Sequence, residues 1–254
     1  MRKVFIIGIG AGNPEYVTVQ AINALNKVDV FFVVDKGRDK EDLVRLRKEI
    51  CERYIQNRSY RIVEARDPER DCTASSYTSA VEAWSEQRAV LYEKMLRDEL
   101  SDEDCGAFLV WGDPSLYDST LQIIDRILAR GALEFEYEVV PGISSIQALA
   151  ARHRIPLNRI GESMYITTGR RLSEGLPNNI DNVIVMLDAD CSFKNVDADD
   201  MDIYWGAYIG TADEILVSGK LKELMGDIER LRSAARERKG WIMDTYLLRK
   251  TTPD

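Results

Sequence analysis

Histidine and cysteine are scarce in this chain, and neither is arranged to hold a metal ion. His153 is the single histidine, and Cys51, Cys72, Cys105 and Cys191 show no C-x-x-C spacing. A structural zinc site needs about four such ligands at characteristic spacings, so the sequence predicts no metal site. Scattered cysteines are typical of reduced thiols, and we therefore expect a cytoplasmic protein.

An excess of basic residues is also missing. The chain has 34 Lys and Arg against 43 Asp and Glu, a net charge of −9. Nucleic-acid binders usually carry the opposite balance, because phosphate contacts need Lys and Arg. No apolar run approaches the ~20 residues that a membrane helix needs, and the run after the basic start MRK is too short for a signal peptide. We expect neither a nucleic-acid nor a membrane partner.

Three loops of one design stand out instead. In each, an apolar strand runs into a glycine turn that is followed by the start of a helix: VFIIGIGAGNPEYVT (4–18), AFLVWGDPSLYDS (107–119) and FEYEVVPGISSIQA (135–148). Glycine lets a ligand approach the backbone amides, and a helix amino terminus adds free N–H donors. If the strands are parallel neighbours, all three loops open at one carboxyl edge, where open α/β sheets bind ligands.

The order of the elements predicts two α/β domains. Up to the third loop, continuously apolar strands alternate with helices, which favours a mostly parallel sheet covered by helices on both faces. Further on, strand candidates follow one another closely, which favours a mixed sheet. The changeover falls between Gly112 and Ser145, and we take 1–113 and 114–254 as the domains.

Polar residues at the three turns have an ordinary explanation as helix caps. Asn13 and Asp113 each precede a proline, which suits the first position of a helix. Ser144 can cap a helix together with Gln147, three residues later. For each residue alone, capping is therefore as good an interpretation as ligand binding.

The first loop alone leaves the ligand open. Gly8, Gly10 and Gly12 form G-x-G-x-G, but the sixth position of the dinucleotide fingerprint is Asn13 rather than glycine. Asp35, at the end of the second strand, has the right spacing to hold a ribose hydroxyl. An NAD(P)-dependent oxidoreductase, an S-adenosylmethionine methyltransferase and a non-catalytic cofactor-binding module all fit this loop. The first two readings in their common forms leave the other two loops unexplained.

Taken together, the loops resemble the tetrapyrrole methylase family of S-adenosylmethionine methyltransferases. The family's G-x-G-x-G-x-P-E-x-x-T, GDP and PG-x-S-S motifs stand here at 8–18, 112–114 and 141–145, with Ala11 in place of the usual second proline. The resemblance implies an enzyme that is a homodimer and uses S-adenosylmethionine, with the ligand cleft between the two domains. It implies cofactor contacts at Gly10, Ala11, Trp111, Gly112, Asp113, Leu116, Ser144, Ser145, Met186 and Gly210.

Further segments resemble one activity within the family. RDPERD (66–71), 77–93, ITTGR (166–170) and 203–219 are similar to members of cobalamin biosynthesis that methylate C1 of precorrin-5 and release acetate. Another precorrin, uroporphyrinogen III or the diphthine precursor remain alternative substrates.

Particular side chains can be given roles for that reaction. Asp113 is the candidate catalytic residue, with a positioning role favoured over proton transfer. His153 and Tyr117 are weaker candidates for proton handling. Because the tetrapyrrole carries several carboxylates, its pocket should contain cations. The candidates are Arg66, Arg70 and Arg170, followed by Lys36, Arg88 and Arg171.

Overall fold

The chain folds into two compact units, each built on one five-stranded sheet. The first unit consists of Met1–Gly10 and Pro14–Ser144, and the second of Ala11–Asn13 and Ser145–Asp254. The computed structural model describes residues 1–35, 41–56, 59–69, 77–176 and 180–251.

The first unit is a parallel sheet, as the continuously apolar strands predict. Its strand order is β3-β2-β4-β1-β5, and every pairing is parallel. The strands are β1 (Lys3–Gly8), β2 (Val30–Asp35), β3 (Arg61–Arg66), β4 (Cys105–Val110) and β5 (Glu136–Val140). The helices are α1 (Val19–Leu25), α2 (Glu41–Tyr54), α3 (Tyr77–Glu99) and α4 (Thr120–Arg130).

Helices cover both faces of this sheet. Along β1, Val4 and Ile6 pack in one buried cluster with α3 and α4, whereas Phe5 and Ile7 pack in another with α1 and α2. Successive side chains of a strand point to opposite faces, so a strand that is apolar throughout must be buried on both. The predicted covering of both faces is confirmed.

The second unit is a mixed sheet in the order β6-β7-β10-β8-β9. Its β6 and β7 are parallel, and the remaining pairings are antiparallel, which confirms the predicted mixed sheet. The strands are β6 (Tyr165–Thr168), β7 (Asn182–Met186), β8 (Met201–Ala207), β9 (Ile215–Lys220) and β10 (Asp244–Lys250). The helices are α5 (Ser145–His153), α6 (Gly169–Ser173) and α7 (Leu221–Lys239).

The chain passes from one unit to the other after Ser144, at the end of the window predicted from the sequence, whereas the predicted domain boundary lies after Asp113. The segment between these points contains α4 and β5. Strand β5 pairs with β1 from Lys3–Glu136 to Ile7–Val140 and so extends the first sheet. The partner of a strand is set by long-range packing, which the sequence EYEVV of β5 does not encode locally.

The helix after the first turn begins later than predicted. Asn13 is not its N-cap; residues Pro14–Tyr16 form one turn of 3-10 helix, and α1 begins at Val19. Thr18 is the cap, and its hydroxyl oxygen accepts a hydrogen bond from the Ala21 N–H at 3.1 Å. Asn13 and Thr18 are both residue types that favour the N-cap position, and the later of the two, Thr18, caps the helix.

The helix after the second turn also begins later, so of the two interpretations left open for Asp113 the helix cap does not apply. Helix α4 begins at Thr120, after Ser119, and not at Pro114. By contrast, α5 begins at Ser145, directly after Ser144, as the third motif predicts. None of the described helices combines the length and apolar composition that crossing a membrane requires.

Candidate active site

Backbone hydrogen bonds join the first two glycine turns. The Gly112 N–H donates to the Gly10 carbonyl at 2.9 Å, and the Gly10 N–H donates to the Gly112 carbonyl at 3.3 Å. Gly10 has a φ of +81° and Gly112 one of +71°, a conformation that glycine adopts without steric cost. The two turns lie just beyond the carboxyl ends of β1 and β4, whose pairing runs to Gly8–Val110.

The third turn packs directly against the other two. A Cβ atom on Gly142 would lie 2.1 Å from the Gly112 carbonyl oxygen and 2.8 Å from the Gly8 Cα. A Cβ atom on Gly8 would lie 2.6 Å from the Gly142 nitrogen. Both positions therefore require glycine. The predicted meeting of the three loops at one edge of the sheet is confirmed within the first unit.

Asp113 ties the second turn to the third. Its Oδ2 accepts a hydrogen bond from the Gly142 N–H at 2.8 Å. Its Oδ1 accepts hydrogen bonds from the Ser115 N–H at 2.8 Å and from the Ser115 hydroxyl. Both carboxylate oxygens are thus engaged, and the side chain fixes the geometry of two loops rather than capping a helix.

These contacts keep Asp113 ionised. Partial burial alone would raise the pKa of Asp113, but hydrogen bonds from Ser115 and the Gly142 amide outweigh it and leave that pKa below its ordinary value. A general base for neutral pH works best with a pKa near the operating pH. The geometry therefore favours Asp113 as a fixed negative charge and a positioning group.

Trp111 carries a buried polar atom with no partner. Its indole Nε1 is shielded from solvent and has no hydrogen-bond acceptor among the residues that the structure describes. The ring packs against the apolar cluster formed with α1 and α2, directly before Gly112. A buried donor without an acceptor costs about 1–3 kcal/mol, so an acceptor from a bound molecule would relieve that cost.

The remaining candidates of the first unit lie close to these turns. Ser144 is buried, and its Cα lies 3.6 Å from where a Cβ on Gly112 would be. The Leu116 N–H donates to the Asp113 carbonyl at 3.2 Å. Gly10, Gly112, Asp113, Leu116 and Ser144 are therefore brought together by the fold.

Within the second unit, Gly210 lies in a turn held by ion pairs and hydrogen bonds. Its φ is +81°, and its N–H donates to Glu214 Oε2 at 2.8 Å. Glu214 Oε1 accepts from the Arg152 guanidinium at 2.7 Å. A Cβ atom on Gly12 would lie 2.4 Å from the Ile209 carbonyl oxygen, so Gly12, which belongs to the same unit, packs closely on this turn.

Three more candidates belong to the second unit, and two of them, Ser145 and Met186, both neighbour Thr245. Ala11 is buried, and Met186 ends β7 with its side chain partly buried. The Ser145 hydroxyl lies 3.2 Å from that of Thr245 on β10.

Among the arginine candidates, Arg88 is buried in a polar cluster. Its Nε lies 2.8 Å from Asp67 Oδ1, and its other nitrogens donate to the Ser119 and Tyr92 hydroxyls at 2.6 and 2.8 Å. Its contacts indicate that it joins α3 to the second turn region rather than facing a ligand. Arg66 and Arg170 are exposed, and so is Arg171, which pairs with Glu174. Arg70 and Lys36 lie outside the described residues.

The weaker candidates have different surroundings. His153 ends α5, and its Nε2 lies 3.1 Å from the Trp205 carbonyl. Burial lowers the pKa of His153 and outweighs both that hydrogen bond and the attraction of Glu214, so the imidazole is neutral at pH 7. Tyr117 is exposed with a φ of +51°, a strained conformation for a large residue.

Sequence reasoning did not single out Arg47 or Glu214. Arg47 lies in α2 between the buried Leu46 and Ile50, and its side chain reaches the sheet. A charged residue beside the apolar stripe of a helix was the available signal. Glu214 supports Gly210 from four residues away, in a segment whose sequence gave no such indication.

Most of the chain matches one protein family. Residues 3–225 match the profile described as Tetrapyrrole (Corrin/Porphyrin) Methylases. The chain belongs to the tetrapyrrole methylase family. The three joined glycine turns are the motifs by which the sequence resembles these methylases, and the fold carries them at the carboxyl edge of the first sheet.

Individual tetrapyrrole methylases are similar over nearly their whole length. The chain is 52% identical over 250 residues to "Precorrin-6A synthase [deacetylating]" from Sinorhizobium sp, covering 98% of this chain and 96% of the relative. A solved cobalamin synthesis related protein from Corynebacterium diphtheriae has a TM-score of 0.85 at 37% identity, covering 99% of this chain and 100% of that one.

A more distant methylase structure shares the fold. Uroporphyrin-III C-methyltransferase from Thermus thermophilus, solved with S-adenosyl homocysteine, has a TM-score of 0.60 at 17% identity. The alignment covers 97% of this chain and 96% of that protein. At this identity the likeness shows that the fold is common to both proteins.

Proposed function

We propose that this protein is an S-adenosylmethionine-dependent C-methyltransferase of cobalamin biosynthesis. It methylates C1 of precorrin-5 and releases acetate, giving precorrin-6A. The observation that carries the proposal is the joining of three motif turns, Gly10 to Gly112 and Asp113 to Gly142, at one sheet edge. The relative named for this reaction, 52% identical over 98% of the chain, supports the choice of substrate.

The residues at the turns fit S-adenosylmethionine. The unpartnered Trp111 indole N–H can donate to one of its polar atoms, and Asp113 supplies a negative charge near which a sulfonium is favoured. The lack of a side chain at Gly8 and Gly142 lets the backbones of the three turns pack directly against one another. We assign the cofactor contacts to Gly10, Ala11, Trp111, Gly112, Asp113, Leu116, Ser144, Ser145, Met186 and Gly210.

The proposed mechanism depends on how the methyl donor and the acceptor carbon are aligned. S-adenosylmethionine supplies an electrophilic methyl group, so the chain's main task is to hold that group in line with a ring carbon. Orientation of this kind can contribute about 7–11 kcal/mol to lowering a barrier. Asp113 holds the second and third turns in register through Gly142 and Ser115, and thereby sets where the donor lies.

The tetrapyrrole and the assembly complete the proposal. The exposed Arg66 and Arg170 are proposed contacts for substrate carboxylates, and Arg70 belongs to the same motif segment as Arg66.

We further propose a homodimer in the cytoplasm. The exposed Tyr137 and Val139 on β5, an edge strand, offer an apolar surface suited to a second subunit.

Turnover with a substrate panel tests the function. The purified protein is incubated with methyl-labelled S-adenosylmethionine and precorrin-5, an earlier precorrin or uroporphyrinogen III. We expect label in the tetrapyrrole and an equal amount of acetate with precorrin-5 alone. Transfer to a different acceptor would assign the protein another substrate within the family. No transfer to any acceptor would refute the proposal.

A further inference from the structure

Strands β2 and β4 separate before they reach the carboxyl edge of the first sheet. They pair only from Val30–Gly106 to Phe32–Phe108. Beyond that point β2 continues to pair with β3 as far as Asp35–Arg66, and β4 with β1 as far as Gly8–Val110. The carboxyl ends of β2 and β4 are therefore not joined by ladder pairs, and they lie at the edge where parallel sheets bind ligands. We call the position between these unpaired ends the crevice.

Arg47 reaches into this crevice from α2. Its Nε donates to the carbonyl of Leu109, a β4 residue beyond the last pairing with β2, at 3.0 Å. Its Nη1 donates to the Leu43 carbonyl in its own helix at 3.0 Å. Among the described residues, Nη2 has no hydrogen-bond partner, and the side chain is only partly buried. The end of the guanidinium is therefore available to an incoming group.

The charge environment of Arg47 differs from that of Arg88 in the same unit. Among the described residues no carboxylate lies within ion-pair range of Arg47, although Arg88 contacts Asp67 at 2.8 Å. Burial lowers the pKa of Arg47, while Tyr92 and Asp118 act in the opposite direction from farther away. The pKa of Tyr92 is itself raised by burial to about 12, so its hydroxyl is neutral at pH 7. A partly desolvated cation that contacts no carboxylate among the described side chains is costly to keep.

We propose that Arg47 receives a carboxylate of the tetrapyrrole substrate in the crevice between β2 and β4. This rests on the proposed function and adds a substrate subsite to it. The free Nη2 and the second hydrogen of Nη1 can hold both oxygens of a carboxylate, as guanidinium groups commonly do. The Leu109 and Leu43 carbonyls hold the group in place before substrate arrives.

Arg47→Met is the informative variant, because methionine keeps an apolar stem and removes the cation. A hydrogen bond to a charged group contributes enough that its loss should raise KM for precorrin-5 about 10- to 100-fold. The affinity for S-adenosylhomocysteine, measured by calorimetry, should stay within about twofold. Arg45→Met serves as the matched control, because it removes the same charge from an exposed position of the same helix and should leave KM unchanged.

Arg47→Lys keeps the inference testable if the methionine variant does not fold. Lysine retains the positive charge but cannot donate two parallel hydrogen bonds to one carboxylate as a guanidinium does. KM for precorrin-5 should therefore rise about 3- to 10-fold, with the affinity for S-adenosylhomocysteine unchanged. An unchanged KM in a folded Arg47 variant would overturn the subsite, as would a loss of S-adenosylhomocysteine binding equal to the rise in KM. Failure of the proposed function is distinguishable, because the wild-type protein would then show no turnover.

Discussion

Gly142→Ala will abolish high-affinity cofactor binding while leaving the two sheets folded. The new Cβ would lie 2.1 Å from the Gly112 carbonyl oxygen, where real Cβ contacts are not shorter than 3.0 Å. The third turn must therefore move by about 1 Å relative to the other two, and a misplacement of that size can cost about 100-fold in an aligned site. Calorimetry with S-adenosylhomocysteine should show at least that loss.

A glycine far from any neighbour provides the control. Gly226 lies inside α7, and a Cβ there would meet nothing within 4 Å. Gly226→Ala should keep full affinity and stabilise the protein by about 0.5–1 kcal/mol, as alanine does in a helix interior. Full S-adenosylhomocysteine affinity in a folded Gly142→Ala protein would show that the contact of the three turns is not needed for binding.

Asp113→Asn will weaken cofactor binding more than it slows chemistry. Asparagine keeps one acceptor oxygen, so it cannot satisfy Ser115 and Gly142 as the carboxylate does. Loss of a charge-assisted hydrogen bond of about 1.5–3 kcal/mol corresponds to a rise of about 10- to 100-fold in KM for S-adenosylmethionine. At saturating cofactor, kcat should change only a few-fold, because Asp113 positions loops and does not move a proton.

The pH profile separates this role from general-base catalysis. Because the folded-state pKa of Asp113 is lowered, its contribution is present above the ordinary value of about 3.9 and is lost only as pH falls through the lower folded value. Asp113 should therefore give no titration in kcat/KM between about pH 5 and 9. A variant with normal cofactor affinity, very low kcat and a missing acidic limb would identify Asp113 as the base.

Much of the architecture could be predicted because it depends on local patterns. Continuously apolar strands such as VFIIG and AFLVW can lie only in a sheet that is covered on both faces. Because a glycine turn follows each of three parallel strands, Gly10, Gly112 and Gly142 could be predicted to lie at one edge of the sheet. The motifs indicate the tetrapyrrole methylase family because three separate segments of the chain match its pattern together.

The rest could not be predicted because it depends on contacts between distant residues. Asp113 stands where a helix cap is common, yet its carboxylate binds the Gly142 amide across 29 positions in sequence. The role proposed for Arg47 depends on where the pairing of β2 with β4 ends, which no local sequence pattern indicates. The assignment of β5 to the first unit likewise follows from its pairing with β1.

Hydrogen exchange with and without S-adenosylhomocysteine tests most directly whether the glycine turns hold one ligand. We predict that amides in 8–12, 111–116 and 141–145 all gain protection at the same ligand concentration, and that NADH protects none of them. Protection in a single turn, or protection by NADH instead, would contradict the account.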